Sequence, residues 1–278
     1  MTQRVVVITG ATSGIGEVAA DRLAAKGARI VFVARDRARG EETLKHLHAI
    51  AAGTDHTAHY ADLSRFSDMK RVASEIAQAE PRIDVLINNA GALFNARKLT
   101  DDGLEMTFAV NHMAYFVLTN LLLPRLKADA RIVSTASDAH RGAHLDFSDL
   151  QSSRNYSGFG AYGRSKLCNI LFTRELARRL EGTGVTANSL HPGFVATRFG
   201  DRSGGALSLA VRAAKIFALR PEQGAATIVY LASSPDVEGV TGGYFVKCKA
   251  AEPTREAQND ADAKRLWDVS AQLAGIAA

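Results

Sequence analysis

Cysteine is scarce in this chain: two residues in 278, Cys168 and Cys248, with no spacing that would hold a metal. Two thiols cannot build a disulfide framework, so small secreted scaffolds are excluded and a reducing compartment is expected. Long apolar runs are missing too. The opening MTQRVVVITG breaks off at a glycine well short of a signal peptide or membrane span, and the expectation is a cytoplasmic protein with no membrane span. Positive charge is in mild excess, a net +5, but Arg and Lys alternate with acids, as in Arg35 to Glu42 and Arg174 to Arg179. A nucleic-acid surface would cluster them, so no nucleic-acid partner is expected. Internal repeats and low-complexity segments are also absent.

What the chain does have is apolar residues, 46% of the total, enough for one large core and a single α/β domain over 1–278. Short β-branched runs at Arg4 to Thr9, Arg29 to Val33, Asp84 to Asn88, Arg131 to Ser134, Val185 to Ser189 and Gly243 to Val246 alternate with stretches of helical periodicity such as Val18 to Ala25 and Met69 to Ala77. Strands separated by helices require crossovers, which predicts a doubly wound parallel sheet with helices on both faces. One long polar connection runs from Asp138 to Gly160, and loops of that length usually carry function.

The first strand leads into TGATSGIGE. Gly10, Gly14 and Gly16 fall where strand turns into helix, so the backbone can approach a pyrophosphate and the helix N-terminus offers unpaired N–H groups. No Gly-Lys-Ser/Thr follows, which argues against a P-loop nucleotidase. The second strand ends in VFVARDRARG. An acid at this point accepts from a ribose 2′-hydroxyl and an arginine grips a 2′-phosphate. Arg35 precedes Asp36, with Arg39 as a second cation, so NADP(H) is favoured and NAD(H), held by Asp36, is the alternative.

In GAYGRSKLCNILFTREL, Tyr162 stands four residues before Lys166, and of six tyrosines only this one has a lysine at that spacing. Positions four apart share a helix face. An ammonium at ~5 Å in an effective dielectric of ~20 would favour a phenolate by about 3 kcal/mol, or ~2 pKa units. The spacing therefore predicts a tyrosine tuned to exchange a proton with a carbonyl or alcohol oxygen.

Together TGATSGIG, NNAG at 88–91, Asn111 in VNHMAYF, Ser137 in RIVSTASD, YGRSK and HPGFVAT at 191–197 resemble the motif series of the classical short-chain dehydrogenase/reductases. ARD after the second strand, LCNILFTRELARRL and the C-terminal KRLWDVSAQLAGI are similar to its retinol-dehydrogenase-like branch. The resemblance implies a Rossmann-type fold and reversible hydride transfer between nicotinamide and a carbonyl or alcohol. It makes Tyr162 the general acid/base, Lys166 its activator and ribose ligand, Ser137 the holder of the substrate oxygen, and Asn111 the anchor of a proton relay. It gives the cofactor the turn residues Gly10, Thr12, Ser13, Gly14, Ile15 and Gly16, together with Arg35. Asp62 and Leu63 would meet the adenine, Asn89, Ala90 and Gly91 would line the cofactor, and Pro192, Val195 and Thr197 would meet the nicotinamide end.

Ser134 and Thr135 lie near Ser137, but Ser137 ends the strand and is preferred. The interval to Tyr162 is wide, at 25 residues, as in the retinol-dehydrogenase-like branch. His191 reads as structural, His140 and His144 lack a third ligand, so no metal is expected, and Cys168 reads as a packing residue. The 138–160 and 198–220 segments are expected to form a substrate loop and lid, the latter including the apolar stretch Gly205 to Leu219. Phe159, Phe194, Phe199 and Phe217 point to a lipophilic small-molecule substrate, with retinoid specificity not implied because no N-terminal anchor is seen. The resemblance implies pairing into a homodimer or homotetramer through the helices carrying Asn111 and Tyr162. The alternatives are an NAD-dependent alcohol or steroid-type dehydrogenase and a non-catalytic NADP-sensing protein.

Overall fold

A computed structural model describes residues 3–193 and 220–277. Apolar residues fill both faces of each central strand, so each strand must be covered twice. In β1 (Val5–Thr9) Val6 and Ile8 are buried on one face and Val7 on the other. β2 (Arg29–Ala34), β3 (Thr57–Tyr60), β4 (Ile83–Asn88), β5 (Leu126–Thr135), β6 (Thr186–His191) and β7 (Tyr244–Val246) join it in the order β3-β2-β1-β4-β5-β6-β7, all parallel, and β8 (Lys249–Ala250) closes the edge antiparallel. The order reverses between β1 and β4, which opens a crevice at the carboxyl ends of the strands. β5 begins five residues before the apolar run that marks it in the sequence, because its polar start, Leu126 to Ala130, pairs only at Leu126 before a register shift.

Helices α1 (Gly14–Ala25) and α2 (Arg37–Ile50) cover one face of the sheet. α3 (Phe66–Ala79), α4 (Met106–Phe108), α5 (Ala114–Leu122) and α6 (Gly158–Arg179) cover the other; α7 (Pro221–Ser233) joins the first layer and α8 (Asp260–Ala274) the second. Between α4 and α5 the chain takes a π-helical turn, Ala109–Met113. The stretch Met106–Arg125 is apolar enough to cross a membrane by length and composition, with mean hydropathy 1.3, but 72% of it is buried. It is a core helix here, walled in by α3 and α6.

α8 determines what the α5 and α6 surfaces can do. Asn259 caps it by accepting from Ala261 N and Asp262 N, and Gly275 ends it in the left-handed region at φ 60°. Trp267 stacks on Phe172 at 5.8 Å between ring centres and meets Phe116 edge-on at 5.0 Å. Between this helix, the sheet and the π-helical turn, nine consecutive residues of α6, 165–173, are buried. The helices expected to meet a second subunit are thus partly covered by the chain's own C-terminal helix.

Candidate active site

The turn after β1 is shaped by what its glycines lack. Gly10 has φ 74° and Gly14 φ 62°, both left-handed. A Cβ on Gly16 would collide with the Gly10 carbonyl and with Asn89 Nδ2. Asn89 ties the turn to the end of β4, its Nδ2 donating to Thr9 O at 3.1 Å and Gly10 O at 3.2 Å, while Thr9 Oγ1 accepts from Asn89 N and Ala90 N, both at 3.0 Å. Ser13 takes the N-cap position of α1 yet makes no side-chain cap, whereas Asp36, Ser157 and Asn259 all cap their helices. The N–H groups of α1's first turn are left for a ligand, and a dinucleotide pyrophosphate fits this cradle.

At the end of β2, Arg35 is exposed. The Asp36 carboxylate accepts from Arg39 N at 2.9 Å and so caps α2, and Arg39 Nη2 donates to Thr12 O at 2.9 Å. Arg35 and Asp36 form no ion pair with each other. After β3, Asp62 turns one carboxylate oxygen onto Ser64 N and Oγ, at 3.0 and 2.8 Å, with Leu63 buried beside it.

The chemical end lies across the crevice. Ser137 leaves β5 in an extended conformation, its hydroxyl accepts from Ala139 N at 3.2 Å, and it lies close enough to Tyr162 to pull that phenol's pKa down. Lys166 Nζ lies 5.5 Å from the centre of the Tyr162 ring and donates to Thr135 O at 2.9 Å. Asn111 stands in the π-helical turn, a distortion that often marks function. Its side chain accepts from Ala92 N at 2.8 Å and donates to Ala92 O and Ser165 Oγ, both at 2.9 Å. It therefore braces the end of β4 against α6. Gly91 leaves the space between the β4 end and Lys166 open: a Cβ there would lie 3.3 Å from Asn111 Oδ1 and 3.4 Å from Lys166 Nζ.

Burial dominates the electrostatics of the Tyr162 and Lys166 pair. Part of the tyrosine ring stays exposed, but its hydroxyl is desolvated and its pKa is pushed up to about 12, Ser137 opposing the rise. Lys166 is 2% exposed and desolvation pulls it down to about 7. The Coulomb gain of the pair in water-like surroundings loses to the cost of burying each charge.

Among the remaining candidates, His191 Nδ1 accepts from Asp138 N at 3.1 Å, His144 approaches Glu256 at 3.7 Å, and Cys168 is buried with its thiol pushed up to about 12. Among the described residues no group of three could hold a metal ion. Pro192 follows β6 directly, while Val195, Thr197, Phe194, Phe199, Phe217 and the lid stretch 198–219 lie outside the described residues. The 138–160 connection is pinned by Tyr156 Oη donating to Phe94 O at 2.7 Å and Glu105 N donating to Gln151 Oε1 at 2.7 Å, and its last three residues already belong to α6.

A model of the short chain dehydrogenase family matches residues 4–205. The chain belongs to the short-chain dehydrogenase family. This short-chain dehydrogenase is 44% identical to mouse retinol dehydrogenase 14 over 99% of its own length and 87% of that protein's, which makes it retinol-dehydrogenase-like within the family and an oxidoreductase of the CH–OH/C=O class. Among solved structures it is similar to an uncharacterised protein of Mycobacterium paratuberculosis, 33% identical with a TM-score of 0.79, covering 99% of this chain and 94% of that one. A short chain dehydrogenase of Burkholderia cenocepacia in complex with NADP is 28% identical with a TM-score of 0.70, covering 87% and 95%.

Three residues that shape this dehydrogenase's site are not singled out by its motifs. Gly163 follows Tyr162, and a Cβ on it would lie 2.6 Å from Ala139 O, so α6 can close on the Ser137 turn only because that side chain is missing. A glycine inside a helix costs about 1 kcal/mol against alanine and is itself a signal of close packing. Ser165 receives Asn111. Gly158 does for the 94–95 segment what Gly163 does for the turn, its Cβ position lying 2.6 Å from Phe94 O. None of these contacts has a sequence-local cause.

Proposed function

We propose that the protein reduces the carbonyl group of a lipophilic aldehyde or ketone with NADPH and runs the reverse oxidation of the corresponding alcohol. The observation that carries the chemistry is the meeting of Ser137, Tyr162 and Lys166 at the end of β5, with Lys166 buried and its Nζ 5.5 Å from the centre of the Tyr162 ring. The cofactor, when bound, supplies the hydride that reaches the carbonyl carbon. The chain's own groups manage the oxygen. Burial favours the neutral phenol of Tyr162, which holds the proton that the oxygen takes up as its charge develops. Ser137 Oγ donates to the same oxygen and stabilises that charge in the transition state. The phenolate left behind lies beside the Lys166 ammonium, and each charge lowers the cost of the other in that buried place. Asn111, through Ala92 and Ser165, keeps the nicotinamide-facing end of β4 and α6 at a fixed distance.

The choice of NADPH over NADH rests on Asp36, whose carboxylate is engaged as the α2 cap, and on two guanidinium groups near the ribose end of the glycine turn, Arg35 exposed and Arg39 on Thr12 O. A lipophilic substrate is supported by Phe159, 59% exposed one turn before Tyr162 on α6, and by relatives named for retinol. The test is NADPH oxidation against aliphatic, aromatic and polyene aldehydes and bulky ketones, with Tyr162→Phe alongside. Loss of the proton donor is expected to lower kcat by about 10²–10⁴-fold with NADPH affinity nearly unchanged. Turnover preserved in Tyr162→Phe would remove the tyrosine from its role.

A further inference from the structure

Ser137 contributes to the proposed chemistry only if its hydroxyl reaches Tyr162, and its place is set by the peptide that carries its side chain and joins it to Asp138, together with Ala139 N, which donates to Ser137 Oγ at 3.2 Å. The peptide is planar, so two contacts on opposite edges fix it completely. On one edge, Ser137 O accepts from His140 Nδ1 at 2.7 Å and from His140 N at 3.1 Å. On the other, Asp138 N donates to His191 Nδ1 at 3.1 Å. Each imidazole is in turn held at its far nitrogen. His140 Nε2 accepts from Thr254 N at 3.3 Å, and His191 Nε2 lies 3.3 Å from Asp138 Oδ2. A carbonyl only accepts and a backbone N–H only donates, so the two rings carry opposite tautomers, Nδ1–H in His140 and Nε2–H in His191. His140 is fully buried and meets the edge of Tyr244, whose hydroxyl donates to Asp138 Oδ1 at 3.0 Å.

We infer that His140 and His191 are positioning residues that clamp the Ser137–Asp138 peptide and thereby aim the Ser137 hydroxyl at the reacting oxygen. The inference rests on the role proposed for Ser137. Burial lowers the pKa of both rings, which keeps them neutral and leaves each with the acceptor nitrogen the clamp uses. The pairing links the catalytic turn to β6 through His191 and to the segment after β8 through Thr254. Neither histidine needs to touch substrate or cofactor.

Asparagine separates the clamp from plain packing, because its amide can place a donor where His140 has Nδ1–H or an acceptor where His191 has Nδ1. His140→Phe keeps a flat ring and loses the hydrogen bond. It is expected to lower kcat by about 10²-fold, the cost of roughly 1 Å of misplacement, while NADPH affinity and KM for the carbonyl stay close to wild type. His140→Asn is expected to recover at least about tenfold of that loss, and His191→Asn to exceed His191→Phe likewise. His140→Gln, which reaches Thr254 N but not Ser137 O, should behave like the phenylalanine variant and serves if that one fails to fold. Equal losses in Asn, Gln and Phe, or a kcat unchanged in Gln and Phe, would overturn the clamp. Ser137→Ala is run in parallel: if it keeps full turnover, the reading of the site itself fails, and the clamp with it.

Discussion

The turn after β1 and the turn after β5 lie at the same edge of one sheet, and opposite means hold them. The first is defined by missing atoms: glycines at 10, 14 and 16, and a helix whose N-cap serine makes no cap. The second is defined by side chains: His140 and Lys166, both buried, and Ser137, Tyr162 and His191, each half-buried. Phosphate recognition needs backbone N–H groups brought close, so any added carbon is in the way. Proton transfer needs titratable groups in fixed places out of water, so any lost partner is felt. The same edge is therefore intolerant of gain at one end and of loss at the other.

Gly16→Ala breaks the first kind of site most directly. Its Cβ would strike both the Gly10 carbonyl and Asn89, which anchors the turn. With about two charge-assisted hydrogen bonds to the pyrophosphate displaced, at roughly 1.5–3 kcal/mol each, NADPH affinity is expected to fall about 10²–10⁴-fold. A fluorescence titration reads this, and affinity within tenfold of wild type would place the cofactor elsewhere. Gly163→Ala is the exception that sharpens the comparison, a gain of atoms at the second site. With Ala139 O at 2.6 Å from the new Cβ, the Ser137 turn must retreat from α6. The expected outcome is a kcat lowered about 10²-fold with NADPH affinity unchanged, and an unchanged kcat would show that the turn tolerates the shift.

The same contrast explains what could be read from the sequence. β-branched runs and helical periodicity carried the parallel sheet, since burial on both faces leaves no other pattern in the residues. The glycine turn and the Tyr162/Lys166 spacing were legible because their causes are local. Asn111 bracing Ala92 and Ser165, Gly163 beneath Ala139, and the two histidines on one peptide all join residues from distant parts of the chain. The pKa directions were not legible either. Spacing gives the distance between Tyr162 and Lys166, but the burial around them comes from the whole fold, and it pushes the tyrosine's pKa up and the lysine's down. The C-terminal helix over Phe172 and Phe116 is a further example, since nothing in KRLWDVSAQL alone names its partner.

Lys166 ranks next in size, as an effect on stability. Its pKa falls from the ordinary 10.5 to about 7 on folding, so between those values the unfolded chain binds a proton that the folded chain does not. Stability without cofactor should therefore rise with pH from 7 toward 10, and below 7 the full burial cost, on the order of a few kcal/mol, is present. Lys166→Met is expected to abolish turnover and yet raise the unfolding free energy at pH 7 by about 1–3 kcal/mol, with the pH slope in urea melts flattened. A destabilised Met variant would mean that the Thr135 hydrogen bond outweighs the burial of the charge.

Arg35 and Asp36 give the smallest and most selective effects, and they test how the two kinds of site divide the cofactor. Arg35 is exposed, so its charge works in high dielectric and one charge-assisted contact to a 2′-phosphate is worth about 1–2 kcal/mol. Arg35→Ala should weaken NADPH about tenfold and leave NADH unchanged. Among the described residues the Asp36 carboxylate accepts only from Arg39 N, so Asp36→Ala should cost about 1 kcal/mol of stability as a lost cap without weakening NADH. If NADH binding instead collapses in Asp36→Ala while Arg35→Ala changes neither cofactor, the acid holds the ribose and the enzyme prefers NAD. Measured on the same four affinities, the two substitutions separate the readings, because NADP(H) preference makes only Arg35→Ala change an affinity and NAD(H) preference makes only Asp36→Ala do so.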